Sequence, residues 1–260
     1  MSKTLARSRS SALRTQRKGL AERAISAGLG PGPGAGRSPE RLAQLGQALL
    51  EVAHQVRGPL GALELYSRLL EEKGDDPGAR RQLTRKILML AVRLSASLED
   101  LFFFAAEEAV SRQPCYLLDL LEEALQLAEA YLEEKSVAVT RLYAGELEPV
   151  AGDPRLLTGV FLNVLLNAVE VLPAGGGLTV ALGRAPEGAD LQEVRIEDDG
   201  PGFSASALAH LFEPFFTEKP GGLGLGLAVA QRIVRAHGGT VEVANGRGSG
   251  AVVSIQVPVR

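Results

Sequence analysis

The sequence predicts an α+β protein in two parts, a long helical hairpin followed by an α/β sandwich with helices on one face of a sheet. Three observations lead there. Between residues 42 and 70 apolar side chains recur at intervals of three and four, the rhythm of one stripe along a helix. Past residue 114, helical periodicity alternates with runs whose apolar residues step by two, the rhythm of strands. The 260 residues are 45% hydrophobic and 23% charged, which excludes global disorder, a collagen-like repeat and a small disulfide scaffold. That length allows one large domain or two modest ones.

Residues 1–37 carry eight Lys and Arg against one acid and contain the Gly/Pro run 28–36, which neither a helix nor a strand tolerates. They read as a flexible basic arm on an acidic body. Such charge could touch nucleic acid, anionic lipid or an acidic partner, but a solvated tail is the expected reading, with nucleic acid not expected as a partner. Ser38, Pro39 and Glu40 suit a helix start. Leu42, Leu45, Leu49, Val52, Val56, Pro59, Leu63, Tyr66 and Leu70 then form a heptad seam of about 50 Å at 1.5 Å per residue.

Lys73 to Gly78 breaks the seam, and a second helix carries Leu83, Ile87, Leu90, Leu94, Ser97, Leu101 and Phe104 on one stripe. Two such helices bury their stripes poorly alone, so residues 38–108 are expected to pair with a second copy as a homodimeric four-helix bundle. Residues 114–260 form the second domain. Helices are expected near Leu117–Lys135, Pro154–Val171 and Leu223–His237, and strands near Val137–Leu142, Leu178–Leu182, Val194–Glu197, Thr240–Ala244 and Ala251–Val257. Asn245-Gly246 supplies the hairpin turn between the last two strands.

Cys115 is the single cysteine, so an internal disulfide and a thiolate metal site are excluded, and a reducing, cytoplasmic setting is expected. The longest apolar stretch, Leu156 to Val169, is short for a membrane span and contains Asn163 and Asn167. The basic N-terminus lacks the apolar run of a secretory signal. No membrane span is expected.

Three groups of residues bear on chemistry. With Val52 at position d of the seam, His54 falls at f, the outermost position, where a side chain is not packed. Pro59 cannot donate to the carbonyl of Gln55, so the helix is weakened beside an exposed nucleophile. The second group joins carboxylate to glycine: Asp198-Asp199-Gly200-Pro201-Gly202, then Gly221-Gly222-Leu223-Gly224-Leu225-Gly226-Leu227 opening a helix. A Gly-x-Gly repeat alone is often just a turn, but at a helix start its bare amides and the positive helix end can receive phosphate. The third is Asn163 and Asn167, four apart on an apolar helix. Two such amides need partners, which a hydrated metal with nucleotide phosphates would supply, and so would buried backbone.

Together these residues resemble the two-component sensor histidine kinases. His54-Gln55-Val56-Arg57-Gly58-Pro59-Leu60 looks like their phosphoacceptor box, Asn163 to Ala168 like the N box, and Asp198-x-Gly200-x-Gly202 like the first glycine box. Phe212 to Lys219 resembles the F box and Gly222-x-Gly224-x-Gly226-Leu227 the second glycine box. The resemblance implies a dimerisation and phosphoacceptor bundle followed by an ATP-binding domain. It implies that His54, within a box that includes Gln55 and Arg57, takes the γ-phosphoryl group of ATP and passes it to an aspartate on a response-regulator receiver domain. Asp198 would accept the adenine amino group and Asn167 would hold Mg²⁺ with Asn163 nearby. Residues 203–223 would form a lid whose Lys219 meets phosphate, and the glycines with Leu227 would line the ATP site. His210 and His237 would be structural.

Three positions depart from the family pattern. Gln55 stands where an acidic general base is usual, and such a base is typically worth about 10²–10⁴-fold. An ordinary exposed imidazole is mostly neutral at pH 7 and already nucleophilic, so a slower or differently gated kinase is expected. Gln after the His also resembles the flagellar and nitrogen-regulatory branch. Gly58 replaces a Thr or Asn that would position water for dephosphorylating the regulator, and Leu223 replaces a hydroxyl residue of the second glycine box. A rival reading, motivated by these three, is a nucleotide-binding scaffold that dimerises and docks a regulator without phosphorylating it.

Overall fold

Asp76 opens a long helix that precedes the sheet: its carboxylate accepts the Gly78 amide at 2.8 Å and its carbonyl the Arg80 amide at 2.9 Å. Pro77 fills the first turn, where no N–H is needed. The computed structural model describes residues 56–72, 75–105, 110–186, 190–219, 224–246 and 248–259, all within the unit Leu45–Arg260. The arm, the start of the seam and His54 with Gln55 lie outside the described residues.

Residues 56–72 are helical (α1), and α2 spans Pro77–Ala105. Stripe residues Leu63, Leu83, Ile87, Leu90 and Leu94 are only half-buried within one chain. The remaining described elements are β1 Gln113–Cys115, α3 Leu117–Glu134, β2 Ala138–Tyr143, β3 Val150–Gly152, α4 Pro154–Val171, β4 Gly177–Arg184, β5 Leu191–Asp198, α5 Ala205–His210, α6 Gly226–Ala236, β6 Thr240–Asn245 and β7 Ala251–Pro258.

Five strands form one sheet in the order β2-β4-β5-β7-β6, with β2 parallel to β4 and every other pair antiparallel. Alternation sends Leu178, Val180 and Leu182 of β4, Val194 and Ile196 of β5, and Val253, Ile255 and Val257 of β7 into the core. On that face sit α3, α4 and α6. The opposite face carries Thr179, Glu193, Arg195, Glu197, Ser254 and Gln256 and meets solvent. Helix α4 is the central element: Leu157, Val160, Phe161, Val164 and Leu165 are each 2% exposed or less. By length and composition α4 is apolar enough to cross a membrane, and its place against the sheet explains that composition.

His237 ties two parts of this domain together. Its Nδ1–H donates to the carbonyl of Ile233 at 2.7 Å, and Nε2 accepts the backbone amide of Asp153 at 2.9 Å. Only the neutral ring with the proton on Nδ1 satisfies both. Asp153 in turn caps α4, accepting from Leu156.

The structure departs from the sequence expectations in three places. Three-residue strands β1 and β3 pair antiparallel, Gln113 opposite Gly152, and are too short to show a period of two. Helix α6 begins at Gly226 because Gly224, at φ +62°, is left-handed and cannot extend it backward. Strand β6 ends at Asn245 and β7 begins at Ala251, and their connection is closed by the Gly246 amide on the Gly250 carbonyl at 3.0 Å. Asn245 is therefore not a turn residue. It stays paired with Ala251, and its side chain clasps Phe203, accepting from N at 2.8 Å and donating to O at 2.9 Å.

Candidate functional site

The inward series of β5 reads Gln192, Val194, Ile196, Asp198. Asp198 thus places a carboxylate where the pattern would otherwise put another core residue, at the strand's end. It is 7% exposed, and its Oδ1 accepts the amides of Gly200 at 2.9 Å and Ala251 at 3.3 Å. Burial raises its carboxyl above the ordinary range, against the pull of those two N–H groups. Both described donors go to Oδ1, so the arrangement fixes the carboxylate plane at the cleft wall.

The cleft has a volume of about 570 Å³ and is bounded by α2, α3, α4, α6, the ends of β5 and β7, and the segment 201–219. Its lining is apolar around Val164, Ile196, Leu211 and Val253, with Asp198 at that end. The polar side is a continuous chain of contacts. Asn167 Nδ2 donates to Asn163 Oδ1 at 3.0 Å, one turn apart on α4. Asn163 Nδ2 donates to Asp100 of α2 at 3.0 Å. Lys219 Nζ reaches Asn167 Oδ1 at 3.2 Å and Glu170 Oε2 at 2.9 Å, and Glu170 Oε1 takes Arg93 of α2 at 2.8 Å.

The electrostatics follow from this packing. Burial pushes the Asp100 carboxyl up to about 7, with Glu99 adding to the rise and the Asn163 bond opposing it. Burial works the same way on Glu170, but Lys219 and Arg93 outweigh it and hold that carboxyl below the usual range.

At the opening of α6, the first glycine of the helix presses on the asparagine pair. A Cβ at Gly226 would stand 2.4 Å from Asn163 Oδ1, so any larger residue there would displace the Asn163 amide. Phe215 adopts φ +69° and donates its amide to the Gly224 carbonyl at 2.8 Å, fastening the segment 201–219 to this turn. Ser204 caps α5 and donates to Glu218 at 2.9 Å. His210 contacts Glu213 at 2.9 Å and tilts over Phe216 at 5.4 Å, outside the cleft lining.

Of the residues singled out from sequence, Asn163, Asn167, Asp198, Gly202, Lys219, Gly224, Gly226 and Leu227 line this one cleft, and Gly200 donates its amide to Asp198 beside it. Arg57 is exposed on α1 and does not line the cleft. His54, Gln55 and Gly222 lie outside the described residues. Sequence reasoning missed Glu170, Asn245 and the α2 pair Arg93 and Asp100. Glu170 was findable, being three residues beyond Asn167 on the same face. Arg93, Ala96, Ser97 and Asp100 also share a face at i, i+3, i+4 and i+7, small and polar where the neighbouring stripe is apolar.

A wall of apolar side chains with one fixed acceptor suits a flat ring carrying an N–H donor. A lysine, two amides and a glycine-opened helix end suit an anionic tail. Residues 152–260 match the family described as histidine kinase-, DNA gyrase B-, and HSP90-like ATPase. The chain is homologous to sensor histidine kinases. It is 34% identical to the signal transduction histidine-protein kinase AtoS of Escherichia coli strain K12 over 220 residues, 85% of this chain and 36% of AtoS. Among solved structures, full-length ShkA in complex with AMPPNP is 26% identical at TM-score 0.56, covering 82% of this chain and 45% of ShkA. The fold is also that of the histidine kinase ThkA, solved with the response regulator TrrA, at TM-score 0.59 and 23% identity, covering 85% of this chain and 64% of ThkA. The chain spans between about a third and a half of the length of the curated histidine kinases it matches.

Proposed function

We propose that this chain is an ATP-dependent autophosphorylating histidine kinase acting in two-component signalling. The observation that carries the proposal is the convergence of Asp198, Asn163, Asn167, Lys219 and the opening of α6 on one cleft of a histidine-kinase-type ATPase domain. ShkA, a relative with the same fold, was solved with an ATP analogue.

The adenine ring would lie on the apolar wall with its amino group donating to Asp198, and the phosphates would run toward Lys219 and α6. The described residues hold no cluster of three His, Cys, Asp or Glu able to cage a metal. The donor set fits Mg²⁺ bound by the Asn167 amide oxygen together with substrate phosphates, its usual mode, where the ion would neutralise phosphate charge. The chain's own part is positioning and charge: Lys219 exchanges Glu170 for phosphate, and Asp198 fixes the ring. An imidazole nitrogen of His54 attacks the γ-phosphorus, the bond to the β-γ bridging oxygen breaks, and ADP leaves. The phosphoryl group then moves to an aspartate of a response-regulator receiver domain.

Residues 38–108 would supply the dimerisation and phosphotransfer hairpin and residues 114–260 the catalytic domain. Half-buried stripe leucines on α1 and α2 favour a homodimeric four-helix bundle, which would bury them.

Incubation with γ-labelled ATP and Mg²⁺, beside His54→Gln, tests this. Label that survives alkali, is lost in acid and is absent from the variant is the expected result. Bound ATP with no label would overturn the kinase reading in favour of a scaffold.

A further inference from the structure

The groups that would receive the phosphate end of a nucleotide are already engaged by protein. Asn163 holds Asp100 and Glu170 holds Arg93, both from α2, and Glu170 also holds Lys219. Helix α2 is seated beyond these two contacts. Leu101 and Phe103 at its end are buried at 7% and 5% exposure. Arg232 of α6 lies 5.2 Å over the Phe103 ring and donates to the Phe103 carbonyl at 3.2 Å, and Tyr131 of α3 donates to the Met89 carbonyl. Thus α2 crosses the mouth of the cleft, clamped to the helix whose N-terminus faces the same cleft.

We propose that α2 is a built-in competitor of the nucleotide: its seat in the cleft and occupation of the cleft by a nucleoside triphosphate exclude one another. The physical reason is shared ground. A polyanion entering at Asn163 meets the Asp100 carboxyl at hydrogen-bond distance from the same amide, and taking Lys219 leaves Glu170 with Arg93 alone. Either the nucleotide displaces the α2 contacts or α2 excludes the nucleotide.

Linkage makes the effect reciprocal: whatever holds α2 down weakens nucleotide binding, and bound nucleotide frees α2 by the same factor. The hairpin that would carry the phosphoacceptor is thereby released from the catalytic domain when substrate arrives. This inference rests on the nucleotide reading of the cleft and concerns two residues that reading does not use.

The test is the affinity of the whole chain for AMPPNP with Mg²⁺, by calorimetry, for the parent, Asp100→Ala and Arg93→Ala. Each substitution is expected to tighten binding about five- to tenfold, within the usual range of coupling between sites. Arg68→Ala, which removes an exposed ion pair to Glu64 within α1 and outside the cleft lining, is expected to leave the affinity unchanged. Hydrogen exchange over residues 89–103 is expected to quicken when the analogue binds. Unchanged or weaker binding by both cleft variants, or slower exchange in α2, would overturn the competitor while leaving nucleotide binding intact. Failure of every protein to bind the analogue would overturn both.

Discussion

Gly250 packs its bare Cα against the backbone of Asp198. A Cβ there would lie 1.8 Å from the Asp198 carbonyl oxygen, and the residue sits at φ +89°. The glycine that closes the last hairpin is thus what lets β7 come alongside the end of β5, where the next residue, Ala251, donates to the Asp198 carboxylate. Gly250→Ala combines a backbone clash with a left-handed backbone and is expected to cost about 3 kcal/mol or more in denaturant unfolding. Gly248→Ala, with nothing within 4 Å of its Cβ, is expected to stay within about 0.5 kcal/mol of the parent.

Asp198→Asn keeps an oxygen for the Gly200 and Ala251 amides while replacing the charged acceptor facing the cleft. Hydrogen bonds to charged groups contribute about 1.5–3 kcal/mol, so nucleotide affinity is expected to fall about 10- to 150-fold, with little change in melting temperature. Calorimetry with AMPPNP and a thermal melt on the same sample separate the two effects. A large loss of melting temperature would instead mark Asp198 as a structural staple.

His237→Phe fills the ring's space but leaves the Asp153 amide without its acceptor inside the protein. An unsatisfied buried donor costs about 1–3 kcal/mol, and urea unfolding is expected to register that loss. Nucleotide affinity should be unaffected, since His237 lies outside the cleft lining.

Asp100 supplies a pH dependence of definite sign. Its folded carboxyl is pushed up to about 7 from the ordinary 3.8, so the folded chain holds a proton the unfolded chain has released. Its contribution to stability is fully present below about pH 4 and declines as pH rises through about 7. Glu99 acts on it from α2, and Arg93 of α2, Glu170 of α4 and Lys219 of the segment 201–219 line the same cleft. Subtracting the Asp100→Asn stability profile from that of the parent isolates this contribution, because the other titrating groups are common to both. The difference is expected to move against the parent between pH 4 and 7 and to be flat above 8. A difference curve flat throughout would mean the carboxyl titrates as if exposed.

Much of the sheet and its helices is legible without coordinates. Helix α4 has the bounds expected for it, because its apolar residues keep a helical period across 154–171. The five strands of the main sheet were expected to within a few residues each, since one-sided burial imposes a period of two. Strands β1 and β3 escaped because three residues carry no period, and their pairing joins segments 37 residues apart. Asn245 misled because Asn-Gly has the local chemistry of a tight turn, whereas its side chain answers to Phe203, 42 residues away.

Sequence alone determined which residue types this protein can bring to a polyanionic ligand, since glycines before a helix, paired amides on an apolar face and an acid closing a strand are each local consequences of spacing. Tertiary structure decided their company. That Asn163 meets Asp100, that Lys219 rests on Glu170, and that a helix of the hairpin lies across the cleft are contacts between residues 49 to 63 positions apart or more. No periodicity encodes such pairings. They exist because α2, α4 and the segment 201–219 each bury an apolar face against the same domain, and the polar edges of those faces are left to meet one another.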